Sequence, residues 1–157
     1  MNLSYNMSGG KVTVLVLKCR GLPAMDVNGL SGTCKHSIYV FAIYTLLIVF
    51  LMCLDPYLQV WATVNGKKCG NRKSSVKERT LNPVFNETFS FEISHDKLRN
   101  SSVTIDVIDH DKFNKNDVIG RIVMAGKSAT EGGHWNEMIN AKGSAVSKWH
   151  KLEPVPE

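Results

Sequence analysis

Motifs of the common enzyme classes are absent from this sequence. It contains no G-x-S-x-G nucleophile elbow, no phosphate-binding P-loop and no H-E-x-x-H zinc motif. His134 and His150 have no partnered nucleophile in the sequence. The 157 residues fit one domain with a hydrophobic core and leave no length for a separate catalytic domain. We therefore expect a binding module and not an enzyme.

Closely spaced cysteines are also missing. No C-x-x-C pair occurs, and no secretory signal peptide precedes the four cysteines, which are Cys19, Cys34, Cys53 and Cys69. This spacing is not that of the usual zinc and redox motifs, and we expect a reduced chain in the cytosol. A net charge of +5 makes anionic lipid, nucleic acid or acidic proteins plausible partners.

Alternating apolar residues run through most of the chain. This period of two predicts strands at 11–18, 56–64, 72–76, 86–94, 101–109, 118–125 and 148–153. The pair Asn65-Gly66 is a strong signal for a tight hairpin. Only residues 133–140 look helical. Many strands joined by turn-rich segments predict an all-β, antiparallel sandwich.

Aspartates collect in the predicted loops and not on strand faces. The five are Asp26, Asp55, Asp109, Asp111 and Asp117. If they converge, their negative charges repel one another unless a cation lies between them, and hard carboxylate oxygens suit Ca²⁺. Loops are often simply polar, so the D-x-D segment alone leaves both interpretations open.

An EF-hand does not explain this loop. If Asp109 took the first position, Phe113 would take the fifth, Asn114 the sixth and Gly120 the twelfth. An EF-hand needs an oxygen ligand, a glycine and a bidentate glutamate at those three positions. The sequence therefore excludes an EF-hand.

Several segments occur in the order found in the second C2 domain of synaptotagmins. They are GLPAMDVNGLS, DPYLQVW, TLNPVFNETFSFEI, DHDKFNKNDVIGRI, HWNEMI and KWHKL. The sequence resembles that family over nearly all residues outside 32–54. The resemblance implies an eight-stranded antiparallel β-sandwich with one short helix near the C-terminus and Ca²⁺ held by loops at one end. The implied ligands are the carboxylates of Asp26, Asp55, Asp109, Asp111 and Asp117 and the backbone carbonyls of Met25 and His110.

The resemblance also implies a function at membranes. Ca²⁺ bound among the carboxylates cancels their charge, so that this end attracts anionic phospholipid. Val27 and Phe113 are expected to dip into the membrane, although Phe113 has the alternative of folding back onto the sandwich. We expect a Ca²⁺-dependent phospholipid-binding module of vesicle trafficking and regulated exocytosis, acting on the cytoplasmic face of membranes.

A basic stretch supplies a second candidate site. By resemblance, phosphoinositides and acidic proteins of the fusion machinery would bind Lys67, Lys68, Arg72, Lys73 and Lys77. Gly70 and Asn71 interrupt the stretch where the family carries a denser lysine run, so we expect a milder version of that function. A solvated, aggregation-resistant edge strand is the alternative. Nucleic acid is disfavoured because no aromatic residues interleave with the charges.

Near the C-terminus, Trp149-His150-Lys151-Leu152 resembles the family's W-H-x-L signature. Two roles stay open for it: a last strand that plugs the core, or a docking surface. Gly143 and Ser144 stand where relatives carry paired arginines, which puts bridging of two membranes through that end in doubt.

One long apolar run interrupts this pattern. Residues 38–54 carry no charge and approach the length of a membrane span. A spanning helix would, however, place Asp26 and Asp55, and the two parts of one sandwich, on opposite sides of a bilayer. Removing residues 32–54 restores the spacing of six that the resemblance implies for these aspartates. We interpret 32–54 as an insert in the first Ca²⁺-binding loop, from a retained intron or a gene-model error. The alternative is a genuine transmembrane segment at 38–54 in a membrane-anchored fragment with no working Ca²⁺ site.

Overall fold

The fold is a sandwich of two antiparallel sheets, in a computed structural model that describes residues 1–23, 54–111, 116–125 and 132–155. The first sheet has the order β5 (Val84–Glu92), β2 (Lys11–Lys18), β1 (Asn2–Asn6) and β8 (Val146–Ser147). The second has the order β4 (Lys67–Lys73), β3 (Pro56–Val64), β6 (Ser101–Asp109) and β7 (Asp117–Ala125). A 3₁₀ helix, His95–Asn100, precedes β6, and the helix α1, Gly132–Asn140, follows β7. The prediction of an eight-stranded, all-β sandwich with one short helix is confirmed.

Alternation along the strands builds the core between the sheets. Val12, Val14 and Val16 of β2 point inward and are buried, alternate residues of β3 and β5 are largely buried as well, and β6 is buried along most of its length. Trp135 of α1 closes one end of this core, and its Nε1 donates a hydrogen bond to the carbonyl of Leu98 over 3.1 Å. The period of two therefore determines which side chains fill the sandwich.

The predicted hairpin at Asn65-Gly66 is confirmed, and both residues have positive φ angles, 50° and 78°. The return strand, however, begins directly at Lys67, so the predicted strand at 72–76 was placed too late. A bulge then follows opposite Trp61 and Ala62. Gly70 lies there with φ of 61°, and a Cβ atom on it would approach the Phe91 ring to 3.0 Å. The bulge thus requires the glycine that interrupts the basic stretch.

The last predicted strand, 148–153, was wrong. β8 covers only Val146–Ser147, and Glu153 makes one isolated bridge to Arg121. The Trp149 side chain does not plug the core, because 58% of it is exposed. The partner of β8 is instead β1, which the alternation analysis did not assign.

Candidate functional site

Three of the predicted ligands lie at one end of the second sheet, where its strands begin or end. Asp55 immediately precedes β3, Asp109 ends β6 and Asp117 begins β7. In the antiparallel register Asp109 stands opposite both Pro56 and Asp117. The topology therefore brings these carboxylates to the same end of three neighbouring strands, as the sequence predicted.

Asp109 is the centre of this group, which we call the carboxylate edge (Asp55, Asp109, Asp111 and Asp117). Its Oδ1 accepts a hydrogen bond from the backbone N–H of Asp55 over 2.8 Å. Partial burial raises the pKa of Asp109, and the negative charges of Asp55, Asp111 and Asp117 raise this pKa further, against the opposing effect of that hydrogen bond. Negative charges at the same strand ends repel one another, which is the electrostatic situation that a bound cation relieves.

Backbone contacts fix the position of Asp55. Its Oδ1 accepts a hydrogen bond from the backbone N–H of Arg79 over 2.8 Å, and its carbonyl accepts one from the N–H of His110 over 3.1 Å. Arg79 has a φ of 52°, which is uncommon for a residue with a side chain. The sequence analysis missed Arg79, because a main-chain donor leaves no signal in the identity of the residue.

Asn116 supports the other side of the carboxylate edge. Its Oδ1 accepts the backbone N–H of Asp111 over 3.1 Å, and its Nδ2 lies 3.3 Å from the Tyr57 hydroxyl. The Tyr57 ring also meets the His110 ring edge to face, with centroids 6.3 Å apart. Asn116 and Tyr57 were not predicted, and they contact Asp111 and His110 of the D-x-D segment.

Several predicted site residues lie outside the described residues. They are Met25, Asp26 and Val27 of the first loop and Phe113 of the D-x-D loop. Within the described ranges, no three histidine, cysteine or acidic side chains converge closely enough to hold a metal ion. The assignment of Ca²⁺ ligands therefore stays a prediction, and the donors that are described fit a hard cation by their oxygen chemistry.

Asp106 lies on the same strand as Asp109 but has a different environment. The guanidinium of Arg121 donates two hydrogen bonds to it, over 2.6 Å to Oδ1 and 2.8 Å to Oδ2. These bonds are the main reason that the pKa of Arg121 is raised. Asp106 is thus paired with Arg121 within the second sheet, and its omission from the predicted ligands stays a prediction.

The basic stretch forms a surface together with aromatic side chains of the second sheet. The Lys68 Nζ lies 3.9 Å from the centroid of the Trp61 ring, and the Lys73 Nζ lies 5.6 Å from that of Tyr57. The Arg121 Cζ approaches the same Trp61 ring to 5.4 Å. We call Lys68, Lys73 and these two aromatic residues the basic face. The sequence analysis missed its aromatic part, because that part comes from β3 and not from the basic stretch itself.

The other predicted cations of the stretch have different positions. Lys67 stands beside the hairpin turn, and Arg72 lies opposite Val60, with both side chains exposed. The Lys77 Nζ lies 3.6 Å from Glu87 Oε1 in a partly exposed ion pair. The structure therefore places Lys68 and Lys73 on aromatic rings of one face and directs Lys77 to an acid of the first sheet.

The apolar insert lies outside the described residues except for its last member. Leu54 is buried in the core, and its carbonyl accepts a hydrogen bond from the Thr80 N–H over 2.9 Å. In the part of the chain that the structure describes, no helix is long and apolar enough to cross a bilayer. Neither interpretation of residues 32–54 is thereby tested.

The whole chain was compared with protein families and with known proteins. A family model described as the C2 domain matches residues 10–150. The chain is 36% identical to Synaptotagmin-7 of Mus musculus over 154 residues, which are 98% of this chain and 32% of that protein. It is also 36% identical to Synaptotagmin-2 of Homo sapiens over 157 residues, 99% of this chain and 32% of that protein. The chain thus spans about a third of the length of these relatives.

A solved structure supports the same architecture. A C2 domain of the RIM protein from Drosophila superposes with a TM-score of 0.63 at 15% sequence identity, covering 97% of this chain and 94% of that chain. At this level of identity the likeness establishes the fold alone.

Proposed function

The chain belongs to the C2 domain family, and we propose that it is a Ca²⁺-dependent phospholipid-binding module of synaptotagmin type. The observation that carries this proposal is the position of Asp55, Asp109 and Asp117 at the same end of three neighbouring strands. Such an arrangement is unfavourable without a cation and becomes favourable with one. The relatives' similarity over nearly the whole chain supports the same function.

The ion would be held by oxygen atoms from two loops. Asp55, Asp109, Asp111 and Asp117 would supply carboxylates from the described residues, and the His110 carbonyl would add a neutral ligand. Asp26 and the Met25 carbonyl would complete the set from the first loop. When bound, Ca²⁺ supplies positive charge where the protein is otherwise negative, so this end then attracts anionic lipid headgroups.

Two further contacts would strengthen membrane binding. Val27 and Phe113 are proposed to insert beside the ligands, and burying one such side chain is worth about 2–3 kcal/mol. The basic face would bind phosphoinositide headgroups and acidic proteins of the fusion machinery, because its ammonium groups are exposed beside the aromatic rings. We place the module on the cytoplasmic face of vesicle or plasma membranes, in vesicle trafficking and regulated exocytosis, as a counterpart of the second C2 domain of synaptotagmins.

The test is sedimentation with liposomes that contain phosphatidylserine, with and without Ca²⁺. Replacing Asp109→Asn together with Asp111→Asn should abolish the Ca²⁺-dependent fraction. The matched control, Glu92→Gln with Asp96→Asn, removes two exposed acids next to the opposite end of the sandwich and should sediment like the unaltered chain. Unchanged Ca²⁺-dependent sedimentation of the first variant would reject the site.

The apolar run favours one alternative function, a membrane-anchored C2-like fragment with a transmembrane segment at 38–54 and no working Ca²⁺ site. Calorimetric Ca²⁺ titration of the full chain and of a chain lacking residues 32–54 distinguishes the two. Under our proposal the shortened chain binds Ca²⁺ at least tenfold more tightly, since the longer connection alone costs about 1.4 kcal/mol in loop closure. Equal affinity and equal solubility of the two chains would show that the insert is a tolerated loop.

A further inference from the structure

Ser75 is an exposed serine in the segment that joins β4 to β5. Its Oγ donates a hydrogen bond to Glu87 Oε1 over 2.6 Å and accepts one from the Lys77 Nζ over 2.8 Å. The same Glu87 oxygen accepts the Ser75 backbone N–H over 3.1 Å and lies 3.6 Å from the Lys77 ammonium. The Ser75 hydroxyl thus links an acid of the first sheet to a base that follows the second, and neither the carboxylate edge nor the basic face includes it.

The residues around Ser75 form a pattern of charge and apolarity. Arg72 and Lys73 stand three and two positions before it, and Val76 follows it directly. All three side chains are exposed, Val76 to 38%. Among the described strands β4 is an edge strand that pairs only with β3, so its other edge is open. Protein kinases select their substrates by charge patterns, and cations before the acceptor suit a kinase whose substrate groove is acidic.

Two other serines close to arginines have different environments. Ser102 also follows an arginine by three positions, but it lies in β6, which is paired with a strand on both sides. Ser74 is half-buried, and its Oγ accepts the Leu58 backbone N–H and donates to the Ser75 carbonyl, each over 2.8 Å. Of these three serines, Ser75 alone combines the basic pattern with an exposed hydroxyl outside a strand.

We propose that Ser75 is phosphorylated by a protein kinase that selects basic residues before the acceptor serine, and that the phosphate weakens the basic face. In this reaction the Ser75 Oγ forms a bond to the γ-phosphorus of ATP, and the bond from that phosphorus to the β,γ-bridging oxygen breaks, so that ADP leaves. The hydroxyl proton passes to the catalytic aspartate of the kinase. The phosphate carries a charge of about −1.5 to −2 near pH 7.

The phosphate changes the partners of its neighbours. It replaces the hydroxyl proton that Glu87 accepts, so the hydrogen bond between them becomes a repulsion between two anions. Lys77 already contacts the Ser75 Oγ and therefore binds the phosphate, which carries more charge than the Glu87 carboxylate. Ser75 is two residues beyond Lys73, so their Cα atoms are at most about 7 Å apart. This distance is within the screening length of about 8 Å at physiological salt, so the phosphate lowers the positive potential at the basic face.

Kinase labelling of the full chain tests the acceptor site. The probe is the catalytic subunit of cAMP-dependent protein kinase, which prefers basic residues before serine; it is supplied with ATP, and peptide mass spectrometry localises the phosphate. Ser75 should be labelled at least tenfold faster than Ser102. Arg72→Ala should slow labelling of Ser75 at least tenfold, whereas the matched control Arg99→Ala should leave it within twofold. A Ser75 that stays unlabelled, or a rate that does not depend on Arg72, would overturn the proposal.

A ³¹P NMR titration of the phosphorylated chain tests the contact with Lys77. A cation beside a phosphate stabilises its dianion and lowers the second pKa, which is ordinarily about 6. Lys77→Gln should therefore raise this pKa, whereas the control Lys67→Gln beside the hairpin turn should leave it unchanged. Equal pKa values in the unaltered and Lys77→Gln chains would contradict the exchange of partners.

Liposome sedimentation tests the effect on the basic face, and this part of the proposal rests on the proposed function. Phosphorylated and unmodified full chains are compared on liposomes with phosphatidylinositol 4,5-bisphosphate in excess EGTA, so that the carboxylate edge does not contribute. Phosphorylation should weaken binding at least fivefold, and kinase-treated Ser75→Ala should bind like the unmodified chain. Equal binding of the two chains would reject the effect. If the unmodified chain does not bind, the proposed function of the basic face fails and this effect with it, whereas the labelling experiment alone decides whether Ser75 is the acceptor.

Discussion

The middle and the end of β6 carry acids with opposite environments. Asp106 is almost fully buried, yet two hydrogen bonds from Arg121 balance its charge. The pKa of Asp109, three residues further along, is raised by partial burial and also by the charges of its acidic neighbours. The same side chain on one strand is therefore paired with a cationic residue in one place and has acidic neighbours in the other. What differs is the partner that the neighbouring strand β7 supplies, Arg121 in the first case and Asp117 in the second.

The largest expected effect concerns Asp106, whose charge is balanced by Arg121. Arg121→Met leaves the Asp106 charge buried without its partner and removes the contact with Trp61, so we expect the free energy of unfolding to fall by about 3 kcal/mol. Urea unfolding measures this change. Adding Asp106→Leu should restore most of the loss, whereas Asp109→Asn alone should change stability by less than about 0.5 kcal/mol without Ca²⁺. A loss below about 1 kcal/mol for Arg121→Met would show that Asp106 does not depend on this pair.

A smaller effect is expected at the basic face. Its Trp61 ring contacts Arg121, the partner of Asp106. Lys68→Ala with Lys73→Ala should weaken binding to phosphoinositide-containing liposomes by about 2 kcal/mol, since each lysine near an anionic surface contributes about 1 kcal/mol. The difference should shrink at high salt because the charges are then screened. The control Lys11→Ala with Lys97→Ala removes two charges elsewhere and should have little effect. An equal loss on neutral liposomes would indicate damage to the fold.

The pH dependence of Ca²⁺ binding should show the smallest effect. Because the folded-state pKa of Asp109 is raised, this carboxyl takes up a proton at a higher pH than an ordinary aspartate. In Ca²⁺-free protein its stabilising contribution is present below the ordinary pKa and is lost as the pH rises through the raised value. Ca²⁺ competes with that proton, so calorimetric affinity should fall as the pH is lowered, and the fall should begin at a higher pH than an ordinary aspartate would give. A Glu92→Gln chain should show the same fall, and a fall that begins only at the ordinary aspartate pKa would contradict the raised pKa.

Local patterns predicted much of this structure. Alternation located β2, β3 and β6 with their observed bounds, and Asn65-Gly66 located the hairpin, because both signals depend on residues close together in the chain. The positions of Asp55, Asp109 and Asp117 at strand ends were sufficient to place them at one edge. These features require no knowledge of distant contacts.

Contacts between distant residues explain what the sequence could not predict. The segment after β8 alternates like a strand, yet the His134–His150 and Arg20–Trp149 contacts hold it over the sandwich instead. The stacking of Lys68 on Trp61 depends on a bulge at Gly70, which alternation alone does not reveal.

One experiment compares Asp106 and Asp109 of β6 directly. Ca²⁺ is titrated into the chain that lacks residues 32–54, and the amide signals are monitored by ¹H–¹⁵N NMR. Our account predicts that the amide signals of Asp55, Asp109, Asp111 and Asp117 shift with a common affinity, whereas those of Asp106 and Arg121 stay in place. Asp109→Asn with Asp111→Asn should remove these shifts. Shifts that are absent from the carboxylate edge, or equally large around Asp106, would contradict a Ca²⁺ site at the end of β6.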